Sequence, residues 1–224
     1  MTQFDLTRRL AAEALGTFFL VMAVVGSGIM ADDLAGGNEA LALLCNTLAT
    51  AAVLVVIITI FISISGAHFN PAATVVMLLK GKIERGASLA YIAVQIIGGC
   101  LGAVAAHLMF GLDPVQLSGT ARNGVGQWLG EFIATFGLIA TILGCVRFRP
   151  EAIPAAVGLY IGSAYWFTSS TSFANPAVTI ARALSDTFSG IAPGDVPGFL
   201  LAEFAGALAA AWLFGWLLAE PRRA

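Results

Sequence analysis

Two short triplets carry the most chemistry in this sequence. Asn70-Pro71-Ala72 and Asn175-Pro176-Ala177 stand 105 residues apart, each inside an uncharged stretch. Asn is among the best helix N-caps and Pro is favoured at the first helical position, so each triplet reads as a helix start. The cap's carboxamide oxygen accepts from a backbone N–H, which leaves its NH₂ to donate into a lumen. Two such donors can orient the oxygen of a passing neutral solute. Two half-helix N-termini, each equivalent to roughly half a positive charge, raise a barrier to cations and protons. A lone Asn-Pro is ordinarily a turn; two copies with matching flanks are read differently. No Ser/His, Asp/Asp or HExxH arrangement accompanies them. The three cysteines form no CxxC pair and the histidines number two, so no enzyme activity, cofactor or metal site is expected.

The elements that must position these triplets follow from composition. The 224 residues are 58% hydrophobic and 11% charged, with a mean hydropathy of +0.90. An ordinary soluble domain carries about 25% charged residues. Eleven Lys and Arg against thirteen Asp and Glu leave a net charge of -2, so nucleic-acid binding is excluded. A membrane helix needs about 20 apolar residues. Leu10–Met30, the first part of the uncharged run from Ala40 to Leu79, Gly86–Phe110, Trp128–Val146, Ala152–Thr168 and Pro197–Ala219 give six spans. Ser63–Leu79 and Ser169–Ala183 are left over, each too short to cross and each holding one triplet. Backbone that breaks its helix at membrane depth is tolerated only within protein or along a wet cavity, so both read as re-entrant half-helices.

Nine of the eleven basic residues, Arg8, Arg9, Lys80, Lys82, Arg85, Arg147, Arg149, Arg222 and Arg223, then fall on one face. The positive-inside rule makes that face cytoplasmic, with both termini inside the cell's inner membrane; Arg122 and Arg182 lie on the other side. The basic start before an apolar run is read as a retained first span rather than a signal peptide, because that span has a partner in the second half. Glu13-Ala-Leu-Gly-Thr17-Phe18 pairs with Glu131-Phe-Ile-Ala-Thr135-Phe136, the triplets pair with each other, and Gln95 pairs with Glu203, at offsets of 118, 105 and 108 residues. Each half holds three spans and a half-helix, so the second is inverted relative to the first. The expected fold is an all-α membrane protein of six transmembrane helices and two re-entrant half-helices, one domain over residues 1–224 with inverted repeats at about 8–110 and 126–219.

Ser65-Gly66-Ala67-His68-Phe69-Asn70-Pro71-Ala72, the second triplet, the Glu13/Glu131 pair and the Gln95/Glu203 anchors resemble the signature of the aquaporin and aquaglyceroporin (major intrinsic protein) family over nearly the whole chain. The resemblance implies a homotetramer in lipid, a pore in each protomer, and passive conduction of water or small neutral solutes. Family members usually place Arg directly after the second triplet as one wall of the outer selectivity filter, whereas this chain has Val178. By the same resemblance the remaining filter positions are Thr50, Ser163 and Ser172. Those four residues imply a wide, uncharged, hydroxyl-ringed opening that passes larger polyols. Val178 in this setting also resembles the divergent AqpS-type aquaglyceroporins found with bacterial arsenic-resistance genes, which implies arsenous acid and methylated arsenicals as further solutes.

Other residues receive narrower readings. Glu13 and Glu131 are expected to accept from backbone N–H groups of the re-entrant loops, and Glu203, whose counterpart is an amide, to act by hydrogen bonding. Arg182 lies one turn beyond Val178 on the same helix face; it reads either as a charge snorkelling at a helix end or as a source of positive field at the outer vestibule. His68 is expected to bond to backbone and His107 to have no chemical role. The glycines at 98, 99, 102 and 206 suit close helix crossings. Alternatives are a water-selective pore, a coupled transporter using Glu13 or Glu131, and an ion channel.

Overall fold

The computed structural model describes residues 4–219; Arg222 and Arg223 lie outside them. Eight α-helices follow one another: α1 (Leu6–Leu34), α2 (Glu39–Ser65), α3 (Pro71–Leu79), α4 (Arg85–Met109), α5 (Val125–Phe148), α6 (Ile153–Phe167), α7 (Pro176–Arg182) and α8 (Val196–Leu217). Six are long and two are short, which is the all-α membrane architecture of six spans and two half-helices. Five of the six are long and apolar enough to cross a bilayer outright. The sixth, α6, has 15 residues, about 22 Å at the helical rise. A 3₁₀ turn over Pro150–Ala152 precedes it and extends it to about 28 Å.

Capping explains where several helices begin and end. Asp5 accepts from Arg8 N at 2.9 Å to open α1, and Asn38 accepts from Leu41 N at 3.1 Å to open α2. Gly66 closes α2 in the left-handed region at φ 91°, a conformation that favours glycine. Pro154 and Pro197 sit in the first turns of α6 and α8. The outward surfaces carry large apolar side chains such as Leu48, Ile60, Leu101, Leu159, Trp212 and Trp216, while Glu13, Gln95, Glu131 and Glu203 are wholly buried. That is the polarity expected of a bundle solvated by lipid.

The packing repeats between halves. α1 packs on α2 and α4, and α5 packs on α6 and α8. The tightest crossings use glycine. A Cβ at Gly98 would run into the Ala14 carbonyl, and one at Gly206 into the Phe132 carbonyl. Those two contacts are equivalent under the offsets of 108 and 118 residues found in the sequence. α3 and α7 lie inside the six-helix ring and touch each other at their starts, α3 also packing on α4 and α8, and α7 on α1, α4 and α8.

All the described basic residues except Arg122 and Arg182 gather at one end of the bundle. Arg9 from α1 reaches Tyr91 of α4, Nε to the phenol oxygen at 2.8 Å, and Lys80, after α3, lies beside Gly215 of α8. At the opposite end the connections 110–124 and 183–195 knit together. Gln116 N donates to Leu184 O, Ser118 N to Ala183 O, and Ala192 N to Thr120 O. His107, fully buried, bridges them through Pro114 O and Ser185 Oγ, both at 2.9 Å. It fastens the 110–124 and 183–195 connections together, a role that its place near a helix end did not reveal.

Candidate functional site

The two triplets meet in the middle. Asn70 Oδ1 accepts from Ala72 N at 2.9 Å and Ala73 N at 3.4 Å; Asn175 Oδ1 accepts from Ala177 N at 3.0 Å and Val178 N at 3.4 Å. Each cap also reaches across. Asn70 Nδ2 donates to Ala174 O at 2.7 Å, and Asn175 Nδ2 donates to Phe69 O at 2.8 Å. The amides are therefore not wholly free, as the sequence suggested. Each NH₂ has two hydrogens; one locks the opposite loop and the other remains for the lumen.

The loops ahead of the caps carry a matching strain pattern. Ala67 and Phe69 have φ of 50° and 47°, and Ser172 and Ala174 have 54° and 49°, again 105 residues apart. Non-glycine residues in this region cost about 1–3 kcal/mol each and persist only where the surroundings hold them. The buried carboxylates do the holding. Glu13 accepts from His68 N at 2.9 Å and Phe69 N at 2.7 Å, and from Ser65 Oγ at 2.6 Å and Gln95 Nε2 at 2.8 Å. Glu131 accepts from Phe173 N at 2.8 Å and Ala174 N at 2.7 Å. Glu203 accepts from Asn175 N at 3.1 Å and Thr179 Oγ1 at 2.6 Å. In a trans peptide each N–H points opposite to the preceding C=O. Tying these N–H groups to acids behind the loops turns the carbonyls of Ala67, His68, Ser172 and Phe173 the other way, toward the cavity that those residues line.

That cavity has a volume of about 360 Å³. It runs from Arg9, Lys82 and Ile83 at the basic end, past Asn70 and Asn175, to Thr50, Tyr165 and Arg182 at the other. Between the polar loops its walls are apolar, with Leu54, Ile58 and Ile62 from α2 and Leu138 and Ile142 from α5. A polar ladder on one side and a greasy wall on the other let a solute exchange hydrogen bonds stepwise without being held.

Thr50, Ser172 and Val178 lie on this cavity. Ser163 does not: it is exposed on the outer side of α6, its hydroxyl donating to its own helix at Leu159 O, 2.8 Å away. The α6 residues that face inward are Ile153, Val157, Ile161 and Tyr165, spaced by four. Ser163 is two residues off that stripe, about 200° around the helix. Tyr165 takes the place expected for it, and its OH donates to Thr50 Oγ1 at 3.3 Å. The regular i+4 stripe was present in the sequence and would have found Tyr165.

The expectation of an uncharged opening is corrected as well. Arg182 is only 2% exposed and lines the same cavity, so it does not snorkel. Arg122, from the 110–124 connection, stacks on the Phe173 ring of the cavity wall at 5.2 Å without lining the cavity itself, its Nε donating to Gly190 O at 2.7 Å. Burial pushes its guanidinium below the ordinary arginine value, and the nearby Glu131 and Tyr165 partly restore it. At the basic end, His68 Nδ1 pairs with the Thr74 hydroxyl at 3.1 Å rather than with backbone, and its ring packs edge-on against Tyr91.

A helical membrane bundle enclosing a solute-sized cavity that passes both Asn caps, with its acids tied to backbone donors, is an arrangement suited to a passive channel. The comparisons with known proteins agree. The sequence model of the major intrinsic protein family matches residues 1–173. Aquaglyceroporin AqpS of Rhizobium meliloti (strain 1021) is 57% identical over 223 residues, covering 100% of this chain and 95% of that one. A probable aquaporin, AqpM of Archaeoglobus fulgidus, is 32% identical over 96% of this chain and 98% of its own. The fold is shared with the X-ray structure of the aquaglyceroporin from Plasmodium falciparum, at a TM-score of 0.73 and 21% identity over 94% of this chain and 96% of the other. The chain belongs to the major intrinsic protein family.

Proposed function

We propose that this channel carries small neutral hydroxyl-bearing solutes: glycerol-sized polyols, water, arsenous acid and methylated arsenicals. The observation that carries the reading is the cavity of about 360 Å³ that passes both Asn caps. It falls within the roughly 300–1,000 Å³ of small-molecule sites. Val178 in place of the family's arginine frees space beside the second cap, and the AqpS relative is named an aquaglyceroporin. Arsenous acid joins the polyols on the sequence resemblance to the AqpS type and because it is a neutral, compact, trihydroxy molecule. Coupled transport is disfavoured because Glu13 already accepts from four donors.

One observation favours the water-selective alternative: Tyr165 brings an aromatic ring to the cavity wall. Stopped-flow light scattering on proteoliposomes separates the two. Rapid uptake of glycerol, a four-carbon polyol and arsenous acid supports the wide-solute reading. Fast water flow with all three excluded overturns it in favour of the water pore.

The same reading places the basic end in the cytoplasm of a bacterial inner membrane, with both termini inside. It treats the chain as one domain of two inverted repeats, about 8–110 and 126–219, assembled as a homotetramer with a pore in each protomer. Family membership supports the assembly, and the mainly apolar outward faces suit both lipid and neighbouring protomers.

A further inference from the structure

The charge missing at Val178 reappears one turn later. Long side chains on a helix lean back toward its N-terminus, and Arg182 at the end of α7 does so. Its Cζ lies 3.4 Å from the centroid of the Phe173 ring, which adjoins Ser172. Its Nε donates to the Ser189 carbonyl. Among the described residues no ion pair neutralises it, and no hydrogen bond holds its two η nitrogens. Arg122 stacks on the same ring at 5.2 Å. A buried, unpaired guanidinium aimed into a channel wall is expensive unless something passing through uses it. Ser172 Oγ, also buried and without a protein partner, faces the same cavity.

We propose that Arg182 supplies the fixed positive charge and the donor fork of the outer constriction, with Tyr165 and Phe173 as its aromatic walls. The filter is thus rebuilt from positions outside the sequence motif. This assignment rests on the channel reading above and sharpens its substrate class. The η N–H groups donate in a fork, and Ser172 both donates and accepts. The matching solute is a neutral molecule with two or more adjacent hydroxyl oxygens, such as a vicinal polyol or arsenous acid. A cation meets a fixed positive charge that no ion pair among the described residues neutralises, in a wall of low dielectric, and is turned back.

The test uses proteoliposomes of the whole chain with Arg182→Leu, Arg182→Lys and the double variant Val178→Arg/Arg182→Leu. Two quantities are read: the ratio of glycerol to 1,3-propanediol uptake, and potassium or proton leak under an imposed potential. Arg182→Leu is expected to raise the leak about tenfold or more and to lower the ratio. Arg182→Lys is expected to keep the low leak and lose the ratio, because it keeps the charge and not the fork. The double variant is expected to suppress the leak again. Arg182→Leu protein that conducts glycerol with unchanged leak and unchanged ratio overturns the assignment. If that variant does not fold, an unchanged ratio in Arg182→Lys overturns it alone. Wild-type protein that passes no neutral solute overturns the channel reading instead, so the two failures are distinguishable.

Discussion

Replacing Glu13 by Gln tests how the pore lining is held in shape. The carboxylate collects four donors, Ser65 Oγ, His68 N, Phe69 N and Gln95 Nε2, at 2.6–2.9 Å, at a site with no exposure. A hydrogen bond to a charged acceptor contributes roughly 1.5–3 kcal/mol. The amide keeps one accepting oxygen and turns the other position into a donor. If the oxygen stays on Ser65 and His68, the bonds to Phe69 N and Gln95 are lost, about 3–6 kcal/mol together. Phe69, at φ 47°, then loses the acceptor that holds it. Thermal unfolding in detergent, followed by tryptophan fluorescence, should show a clear drop in midpoint. Glycerol flux per folded protein should fall about tenfold or more as the carbonyls leave the lumen. A Glu13→Gln protein that unfolds like wild type and conducts like wild type would refute the clamp. Loss of proton-dependent flux without loss of stability would point to a relay instead.

Other expectations follow from the same geometry. Tyr165→Ala should raise uptake of four- and five-carbon polyols relative to glycerol in proteoliposomes, whereas Ser163→Ala should leave that ratio unchanged. Glu203→Gln should be tolerated in both folding and flux: Oε1 keeps its bonds to Asn175 N and Thr179 Oγ1, and the new NH₂ replaces an oxygen with no protein donor beside Glu131. A midpoint lowered by many degrees would contradict that. Gly206→Leu should abolish a monodisperse peak in size-exclusion chromatography, because its Cβ meets the Phe132 carbonyl. Gly144→Ala, with nothing near its Cβ, should be neutral or stabilising by up to about 1 kcal/mol.

The architecture was legible because it is written twice. Asn70 and Asn175, Glu13 and Glu131, and Gly98 and Gly206 each carry a local rule, a cap, a buried acceptor or a close crossing, and repetition at fixed offsets removes the ambiguity of a single copy. The hydrogen bonds around Glu13 and Glu131 follow from the same logic, since two re-entrant loops have unpaired N–H groups that only a buried acid can reach. The end of the cavity around Arg182 was less legible. The family resemblance, carried over by spacing from the motifs, pointed to Ser163, yet the side chain that faces inward there depends on the rotation of α6, which is set by packing of Val157 and Ile161 in the core. Arg182 stayed open between a helix-end charge and a vestibule charge because nothing local to α7 shows that Phe173 and the Ser189 carbonyl, brought in by two separate loops, would draw it inward. His107 was missed for the same reason: its partners Pro114 and Ser185 come from connections without a regular pattern.

The most direct test of the central claim is the concentration dependence of glycerol entry into proteoliposomes, with and without sodium and proton gradients. A continuous pore predicts initial rates that rise linearly with the glycerol gradient, show no saturation and ignore both ions. Rates that saturate, or that follow either ion gradient, would contradict the channel and return Glu13 and Glu131 to consideration as coupling sites.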